Sequence, residues 1–332
     1  MDGPYSRRAF VRDLFLLPCA APLIASCAHY VRPARIRRVG FIGAESLPSL
    51  VTAFKDELLR LGYIEGRDIV IETRLPPPNR SDLVRQTAEL AHMDLDLIVA
   101  GALPNALDVR AANPAMPMVI ATCPGMISNA FAQSLEHPGR GVTGIDELPP
   151  GVTAKRLTLL KTAAPQVLHV ALLSTTPGSG GHEMQLADAV RAAAPLGIRV
   201  KPYRATSLES LNAALAAIGV DEIDALMSFQ GGLSVLNRQL IVDFAAEHHL
   251  PAIYQATLFA EAGGLMSWAP NLENQYRMAA RYVDKILKGA NAGDLPIAFP
   301  PKYYLTIHAG AARRLGLTLP PALLAQAERV LS

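Results

Sequence analysis

Cysteine, charge and long apolar runs are all scarce in this chain of 332 residues. Three cysteines are too few for a disulfide scaffold, and no Cys/His pair has the spacing of a zinc site. Basic residues number 31 against 29 acidic ones, so no basic surface for nucleic acid is expected. No apolar run reaches the roughly 18 residues of a membrane-spanning helix. Because half of the residues are hydrophobic, sizeable buried cores are expected rather than disorder.

The first 27 residues have the organisation of an export signal. The pair Arg7 and Arg8 precedes an apolar stretch at 14–25, and an Ile-Ala-Ser-Cys sequence ends at Cys27. The arginine pair is typical of twin-arginine signals, and the second feature is similar to a lipobox, which makes Cys27 the predicted lipidation site. Cleavage beyond Cys27 without acylation and a disordered tail are the alternatives. The predicted location is the periplasm or the outer side of the cytoplasmic membrane.

From residue 37 onward, short β-rich runs alternate with amphipathic helical runs. Residues 39–43 are predicted to form a strand, and the helix after it repeats apolar residues at about 3.6-residue spacing. The pattern restarts with a helix near 153–163. Alternating strands and helices predict parallel sheets with helices on both faces, and the restart predicts two similar lobes. The predicted fold class is therefore α/β, with two Rossmann-like lobes.

Loops after the predicted strands are the candidate ligand site, because open parallel sheets bind ligands beyond the carboxyl ends of their strands. Ser46, Thr175 and Thr176 are predicted hydroxyl donors, and Tyr254 and Trp268 are predicted apolar or stacking walls. Backbone N–H groups at the start of a helix suit a carboxylate or another anion. The candidate ligand-binding residues are Ala44, Ser46, Ala102, Leu103, Cys123, Thr175, Thr176, Gln230, Tyr254 and Trp268.

Catalytic motifs are scarce. Residues 139–144 match the dinucleotide pattern GxGxxG by letters, but they precede a predicted strand, which favours a loop over a nucleotide site. Cys123 is a candidate nucleophile, although a racemase mechanism needs a second cysteine to return the proton. No catalytic residue, metal or cofactor is predicted, and capture of a small solute is favoured over its conversion.

Several stretches resemble a family of ABC-transporter solute-binding proteins that includes tryptophan-binding lipoproteins. The most specific is Leu-Gly-Tyr-Ile-Glu-Gly-Arg-Asp-Ile-Val-Ile-Glu at 61–72, and the resemblance covers about residues 36–331. It continues at 96–101, 137–144, 250–254, 261–267, 282–289 and 311–321.

The resemblance implies a type I periplasmic binding protein with a three-crossing hinge. The first lobe would be 36–147 plus 269–298, and the second 148–268 plus 299–332. The implied function is the extracytoplasmic component of an ABC importer, a monomer that delivers an amino acid or an aromatic or other carboxylic acid to a membrane permease. A ligand-sensing module for a receptor kinase and a Cys123-dependent racemase or isomerase are the alternatives.

The sequence departs from the family pattern at the predicted cleft. Cys123-Pro124-Gly125 stands where members often have an acidic Gly-Asp-Pro, and Trp268 stands where a tyrosine usually follows Met-Ser. The loss of that acid removes an expected partner for an amine, so plain carboxylic acids enter the range of expected ligands.

Overall fold

The computed structural model describes residues 35–43, 47–77, 79–229 and 231–332. The predicted export signal and Cys27 lie outside these ranges. The described chain forms two β-sheets. The first has the order β2-β1-β3-β4-β5, and its strands are β1 Arg37–Ile42, β2 Ile69–Arg74, β3 Leu97–Ala100, β4 Met118–Cys123 and β5 Val142–Asp146.

The second sheet has the order β12-β11-β10-β9-β8-β6-β7. Its strands are β6 His169–Ser174, β7 Arg199–Arg204, β8 Ala225–Ser228, β9 Ala252–Tyr254, β10 Met266–Pro270, β11 Tyr303–His308 and β12 Arg329–Leu331. We call each sheet, together with the helices packed on it, a lobe. The predicted fold class, two α/β lobes built on parallel sheets, is confirmed.

Helices lie between most of the strands. They are α1 Pro48–Arg60, α2 Arg80–Ala91, α3 Leu103–Ala112, α4 Val152–Ala163, α5 Gly180–Ala193, α6 Leu208–Val220, α7 Gly232–Leu236, α8 Arg238–Glu247, α9 Thr257–Glu261, α10 Leu272–Leu287, α11 Ala309–Arg314 and α12 Pro321–Gln326. Short 3₁₀ helices occur at Ala194–Leu196 and Ala292–Asp294. In the described ranges, none of these helices is both long and apolar enough to cross a bilayer.

Side chains of each sheet alternate between two buried clusters, one on each face. In β3, Leu97 and Val99 pack with α1 and α10, whereas Ile98 and Ala100 pack with α2 and α3. Strand β6 divides its side chains in the same way between α4 and α5 on one face and α6 and α8 on the other. This two-sided burial explains why the inner strands β3, β4 and β8 are almost uniformly apolar, whereas the edge strands β2 and β7 carry charged residues.

The chain passes between the lobes three times. It leaves the first sheet after β5, returns from β10 into α10, which packs on α1 and β4, and enters the second sheet again at β11. Before this last crossing, Ile145 forms a β-bridge with Ala298. The three-crossing hinge is thus present.

One strand pair in the second sheet is antiparallel, which the alternating pattern does not predict. Strand β11 pairs antiparallel with β10, with Met266 opposite Ile307 and Pro270 opposite Tyr303. The reason is the excursion through α10. Because the chain returns through the hinge end at which β10 finished, β11 starts there and runs in the opposite direction.

Residues 139–141 form a loop that leads into β5, and residues 142–144 begin that strand, as their position in the sequence predicts. Gly139, Arg140 and Gly141 have positive φ values of 66°, 54° and 65°, and β5 begins at the next residue. The segment opens no helix, so it lacks the helix N-terminus on which a dinucleotide phosphate site depends.

Candidate functional site

A cavity of about 980 Å³ lies between the two sheets, at the carboxyl ends of their strands. We call it the cleft. In the first lobe the cleft is lined by the loops that follow strands β1 to β5. In the second lobe it is lined by the loops that follow strands β6 to β9. The lining includes loop residues Gly43, Pro76, Gly101, Pro124 and Glu147 from the first lobe, and Thr175, Thr206, Gly231 and Ala256 from the second.

Most of the cleft wall is apolar. Leucines and prolines of the first lobe face apolar residues of α7 in the second lobe, and Leu107 is 50% exposed. This exposed apolar surface suits a ligand with a hydrocarbon or aromatic body. The apolar side chains are Leu47, Leu50, Val51, Pro76, Pro77, Leu83, Leu103, Pro104, Leu107 and Leu272, with Leu233, Val235 and Leu236 opposite.

Two hydroxyl groups meet at the base of the cleft. Thr122 Oγ1 and Tyr276 Oη both donate to the carbonyl oxygen of Gly101, at 2.8 and 3.0 Å. Burial, reinforced by the nearby charge of Glu147, raises the pKa of Tyr276. The phenol therefore stays protonated and holds α10 against the end of β3.

A buried carboxylate lies where the first crossing leaves β5. Glu147 is 3% exposed and lines the cleft, and its Oε1 accepts a hydrogen bond from Gln275 Nε2 at 3.0 Å. Its carbonyl oxygen accepts from Tyr303 Oη at 2.7 Å. Glu147 thus joins the hinge to the cleft wall.

The second charged side chain in the described lining is Arg80 at the first turn of α2. It forms a two-point ion pair with Asp108 of α3, with Nη1–Oδ2 and Nη2–Oδ1 distances of 2.5 and 2.6 Å. This geometry raises the pKa of Arg80. Since the guanidinium already binds a carboxylate, its main role is to tie α2 to α3 along the cleft.

The N-terminus of α3 opens into the cleft at the predicted residues Ala102 and Leu103. Asn105 Oδ1 accepts a hydrogen bond from the Ala102 N–H at 3.1 Å, which caps the helix from within its first turn. Amides of a first helical turn have no intrahelical acceptor and carry the positive end of the helix dipole. The start of α3 therefore provides the helix N-terminus that the predicted anion-binding site requires.

In the second lobe, the predicted residues Thr175 and Thr176 also line the cleft. Thr175 is buried, and its Oγ1 has no hydrogen-bond partner in the described part of the chain. The Thr176 N–H donates to Ser174 Oγ at 3.3 Å, which orders the loop after β6. A buried hydroxyl without a partner costs free energy that a ligand group can recover.

The two lobes touch at the mouth of the cleft. The Gly180 N–H at the start of α5 donates to Asn129 Oδ1 of the first lobe at 3.0 Å. The Asn129 amide in turn donates to the Pro124 and Gly125 carbonyls, and the Asp146 carboxylate accepts from the Gly125 N–H at 3.0 Å. A continuous set of hydrogen bonds therefore links β5 to α5.

Cys123 is not part of the described cleft lining. It is fully buried at the end of β4, and burial, together with the charges of Asp146 and Glu147, raises its pKa well above the usual value. Its carbonyl oxygen accepts from the Glu147 N–H at 2.9 Å. A thiol in this environment is neither accessible nor ionised, so the geometry gives no support to a Cys123 nucleophile.

Tyr254 and Trp268 are likewise absent from the described lining, although both were predicted as cleft walls. Tyr254 is fully buried and stacks on Phe259, with ring centroids 4.7 Å apart, because the end of β9 packs against α9. Trp268 is half-buried, stacks on Tyr303 at 6.0 Å and accepts a hydrogen bond from Arg156 Nε through its carbonyl oxygen. The structure places Trp268 in the hinge.

Three predicted residues, Ala44, Ser46 and Gln230, lie outside the described residues. Their neighbours Gly43 and Gly231 line the cleft. No group of three His, Cys, Asp or Glu side chains within the described ranges is arranged to hold a metal ion.

Sequence reasoning missed Glu147, Tyr276 and Asn129. The signal for Glu147 is its position directly after β5, at a strand end where the chain leaves the first lobe. Tyr276 lies on a helix 175 residues from the Gly101 carbonyl that it binds, and nothing local in the sequence indicates that contact.

Comparison with known proteins gives the family. A profile described as "ABC transporter substrate binding protein" matches residues 36–331. The chain belongs to this family. It is 22% identical over 264 residues to a tyrosine-binding protein of Clostridioides difficile (strain R20291), a match that covers 79% of this chain and 75% of the relative.

Two solved structures have a similar fold. An ABC domain from Streptococcus pneumonia in complex with L-Trp has a TM-score of 0.82 and 21% identity, covering 89% of this chain and 99% of that one. The ligand-free, open structure of a substrate binding protein with adhesive properties from Clostridium difficile has a TM-score of 0.66 and 21% identity, over 90% and 100% of the two chains.

Proposed function

We propose that this substrate-binding protein is the extracytoplasmic component of an ABC importer and captures a small amino acid or an aromatic or other carboxylic acid. The observation that carries the proposal is the cleft, which both lobes line. Its volume of about 980 Å³ lies at the upper end of the range of roughly 300–1,000 Å³ that is usual for small-molecule sites.

Closure of the lobes supplies the mechanism. A ligand that contacts both lobes binds the closed arrangement better than an open one, and so shifts the population towards closure. The Gly180–Asn129 hydrogen bond at the mouth joins the two lobes in the arrangement that the structure shows. The permease then recognises the closed form and receives the ligand.

The polar groups of the cleft support a ligand with a carboxylate. The first turn of α3 lines the cleft at Leu103, and the Thr175 hydroxyl, which has no hydrogen-bond partner among the described residues, lies on the opposite lobe. The apolar wall suits the rest of the molecule. The tyrosine and L-Trp named for the two relatives agree with this class of ligand.

A thermal-shift screen over amino acids, aromatic acids and small carboxylates tests the proposal. Because ligand binds the folded state, saturation at 100 times the dissociation constant adds about 2.7 kcal/mol to the free energy of unfolding. We expect at least one compound to raise the melting temperature in a saturable way. A screen in which no compound does so contradicts the proposal.

The proposed extracytoplasmic location is tested by substitutions in the predicted export signal. If Arg7 and Arg8 direct twin-arginine export, changing both to lysine leaves full-length precursor in the cytoplasm. If Cys27 is acylated, Cys27→Ser releases the mature protein from the membrane fraction. A wild-type protein that is soluble in the periplasm contradicts acylation and leaves export standing.

A further inference from the structure

Two arginines of the first lobe form no ion pair among the described residues. Arg110 has its guanidinium carbon 5.6 Å from the centre of the Phe131 ring, and its Nη2 atom is buried with no hydrogen-bond partner in the described ranges. Arg140 is exposed, and its Nη1 donates to the carbonyl oxygen of Ala130 at 3.1 Å. Because Ala130 and Phe131 are adjacent, the two guanidinium groups lie beside the same short stretch of chain.

The positive charge of this arginine pair is not compensated by a carboxylate. Burial, followed by the nearby charge of Arg140, lowers the pKa of Arg110. A partly buried cation beside a like charge is unfavourable unless an anion binds close to it. A guanidinium presents a planar set of N–H donors that matches the oxygens of a phosphate group. The pair therefore suits an anion that carries a phosphate.

Both arginines lie at the edge of the first sheet where its strands begin, opposite the cleft. We call this the distal edge. Strand β1 begins there at Arg37, and β5 begins there at Val142, two residues after Arg140. Arg110 lies in the last turn of α3, a helix whose first turn lines the cleft. The arginine pair is thus on the side of the lobe that faces away from the ligand site.

The predicted lipid anchor joins the chain at the same edge. Arg37 is the tenth residue after Cys27, and a chain of ten residues spans at most about 35 Å. If Cys27 is acylated, the distal edge therefore stays close to the lipid headgroups. Residues 28–38 contain no acid and four arginines, which are Arg32, Arg35, Arg37 and Arg38.

Acidic side chains also occur at the distal edge. Asp68 is ion-paired with the adjacent arginine at 2.8 Å, and Asp96 accepts a hydrogen bond from the Arg38 N–H at 2.8 Å. Glu136 is exposed in the loop that carries Arg140, and its charge opposes that of the pair. Attraction of an anionic surface should therefore weaken when an arginine of the pair is removed and strengthen when Glu136 is neutralised.

We propose that the distal edge docks on anionic phospholipid headgroups, with a headgroup phosphate bound between Arg110 and Arg140. This inference rests on the extracytoplasmic location in the proposed function and goes beyond it. A single acyl chain gives only marginal membrane binding, whereas one chain together with a basic surface holds a protein stably. Docking in this way would keep the first lobe at the bilayer and leave the cleft, at the opposite edge, open to solute.

Vesicle binding by the mature chain without an acyl group tests the proposal. Residues 28–332 include both lobes, which belong to one compact unit at Ile36–Ser332. The protein is sedimented with vesicles of phosphatidylglycerol and phosphatidylcholine in equal parts, or of phosphatidylcholine alone. We expect binding to the anionic vesicles only. Raising the salt concentration from about 50 to about 300 mM should weaken this binding, because salt screens exposed charges.

Variants of the arginine pair locate the docking surface. Arg110→Gln and Arg140→Gln should each weaken binding to the anionic vesicles about fivefold, the contribution typical of one basic residue near an anionic membrane. Arg199→Gln is the matched control, since Arg199 is exposed at the start of β7 in the second lobe, and it should bind like wild type. Glu136→Gln should strengthen binding by a similar factor. Circular dichroism of each variant confirms the fold.

The outcomes separate this proposal from solute capture. Equal binding to neutral and anionic vesicles, no binding to either, or wild-type binding by folded Arg110→Gln and Arg140→Gln variants overturns the docking surface. None of these results affects solute capture, which the thermal-shift screen measures without lipid. If no compound of that screen binds while vesicle binding depends on the arginine pair, capture is contradicted and docking is supported. If Arg140→Gln does not fold, Arg110→Gln and Glu136→Gln decide.

Discussion

His182 is a buried imidazole in the first turn of α5. Its side chain packs beside the Phe229 ring, with centroids 5.8 Å apart, and neither ring nitrogen has a hydrogen-bond partner in the described structure. Burial lowers the pKa of His182 below the usual 6.5; the charge of Glu183 opposes this shift and that of Arg204 adds to it. The folded protein therefore favours the neutral ring.

Because this imidazole is buried in its neutral form, we expect the free energy of unfolding to fall in acid. Because the unfolded state binds the proton more readily, the contribution of His182 is fully present above pH 6.5 and is lost as the pH falls below that value. Unfolding should take up as much as about one proton at this site. His182→Leu removes the titration, so its free energy of unfolding, measured by urea denaturation from about pH 7.5 to about pH 5, should fall less steeply.

His137→Leu is the matched control, since it makes the same substitution at an exposed loop position of the first lobe. Equal slopes in wild type and His182→Leu would show that His182 does not take up a proton on unfolding.

At the scale of elements, helix α5 begins with two glycines for a steric reason. A Cβ atom on Gly180 would lie 1.8 Å from the carbonyl oxygen of Ser128, and one on Gly181 would lie 2.0 Å from that of Pro124. Both carbonyl groups belong to the first lobe. Helix propensity by itself favours alanine over glycine at such positions. The glycines are therefore explained by the approach of the lobes and not by the helix.

Gly180→Ala should favour an open arrangement of the lobes. The higher helix propensity of alanine predicts a gain of about 0.4–1 kcal/mol in the free energy of unfolding. The clash of the added Cβ with the Ser128 carbonyl oxygen predicts that the lobes cannot close completely. We expect a larger radius of gyration in solution scattering and an affinity lowered several-fold for the best compound of the thermal-shift screen, because fewer molecules are competent to bind.

Gly232→Ala is the control for this experiment, because Gly232 lies on the same lobe, lines the cleft and has no atom within 4 Å of its added Cβ. This variant should keep the wild-type radius of gyration. A Gly180→Ala protein with unchanged radius and affinity would mean that the glycine contact does not limit closure.

At the scale of the whole molecule, Trp268 reports on the hinge. It is the only tryptophan in the chain, it stacks on Tyr303, and Lys155 Nζ lies 5.8 Å from its ring centroid. Strand β10 ends two residues later, where the chain crosses into α10. Because the Tyr303 hydroxyl donates to the Glu147 carbonyl oxygen at the first crossing, a change in the angle between the lobes reaches the indole through the Tyr303 ring without any ligand touching it.

We therefore expect a saturable change in tryptophan fluorescence when the best compound of the screen is titrated. Trp268→Phe should lose this signal and keep its affinity within about threefold, since the indole contributes no ligand stacking in this position. Severalfold weaker binding by Trp268→Phe, measured by calorimetry, would instead return the indole to the ligand site. Tyr303→Phe keeps the ring stacking and removes the hydroxyl that donates to Glu147, so it should weaken the fluorescence change and leave the indole in place.

The two α/β lobes and part of the cleft follow from the amino-acid sequence alone. Alternation of apolar runs locates strand ends, and strand ends of parallel sheets form the ligand-binding edge, which is why Ala102, Leu103, Thr175 and Thr176 were predicted in the lining where the structure has them. These inferences depend only on local periodicity and on general properties of parallel sheets.

Which side chains enter the cleft depends on how distant segments of the chain pack together. Tyr254 ends a strand beside the cleft yet packs on Phe259, whereas Tyr276 comes from a helix of the returning chain and reaches Gly101 across 175 residues. Glu147 faces the cavity while the adjacent Asp146 is turned towards the loop after β4. Such choices follow from packing between segments that are distant in sequence, because neighbouring positions on a strand point to opposite sides and periodicity does not say which side faces a ligand.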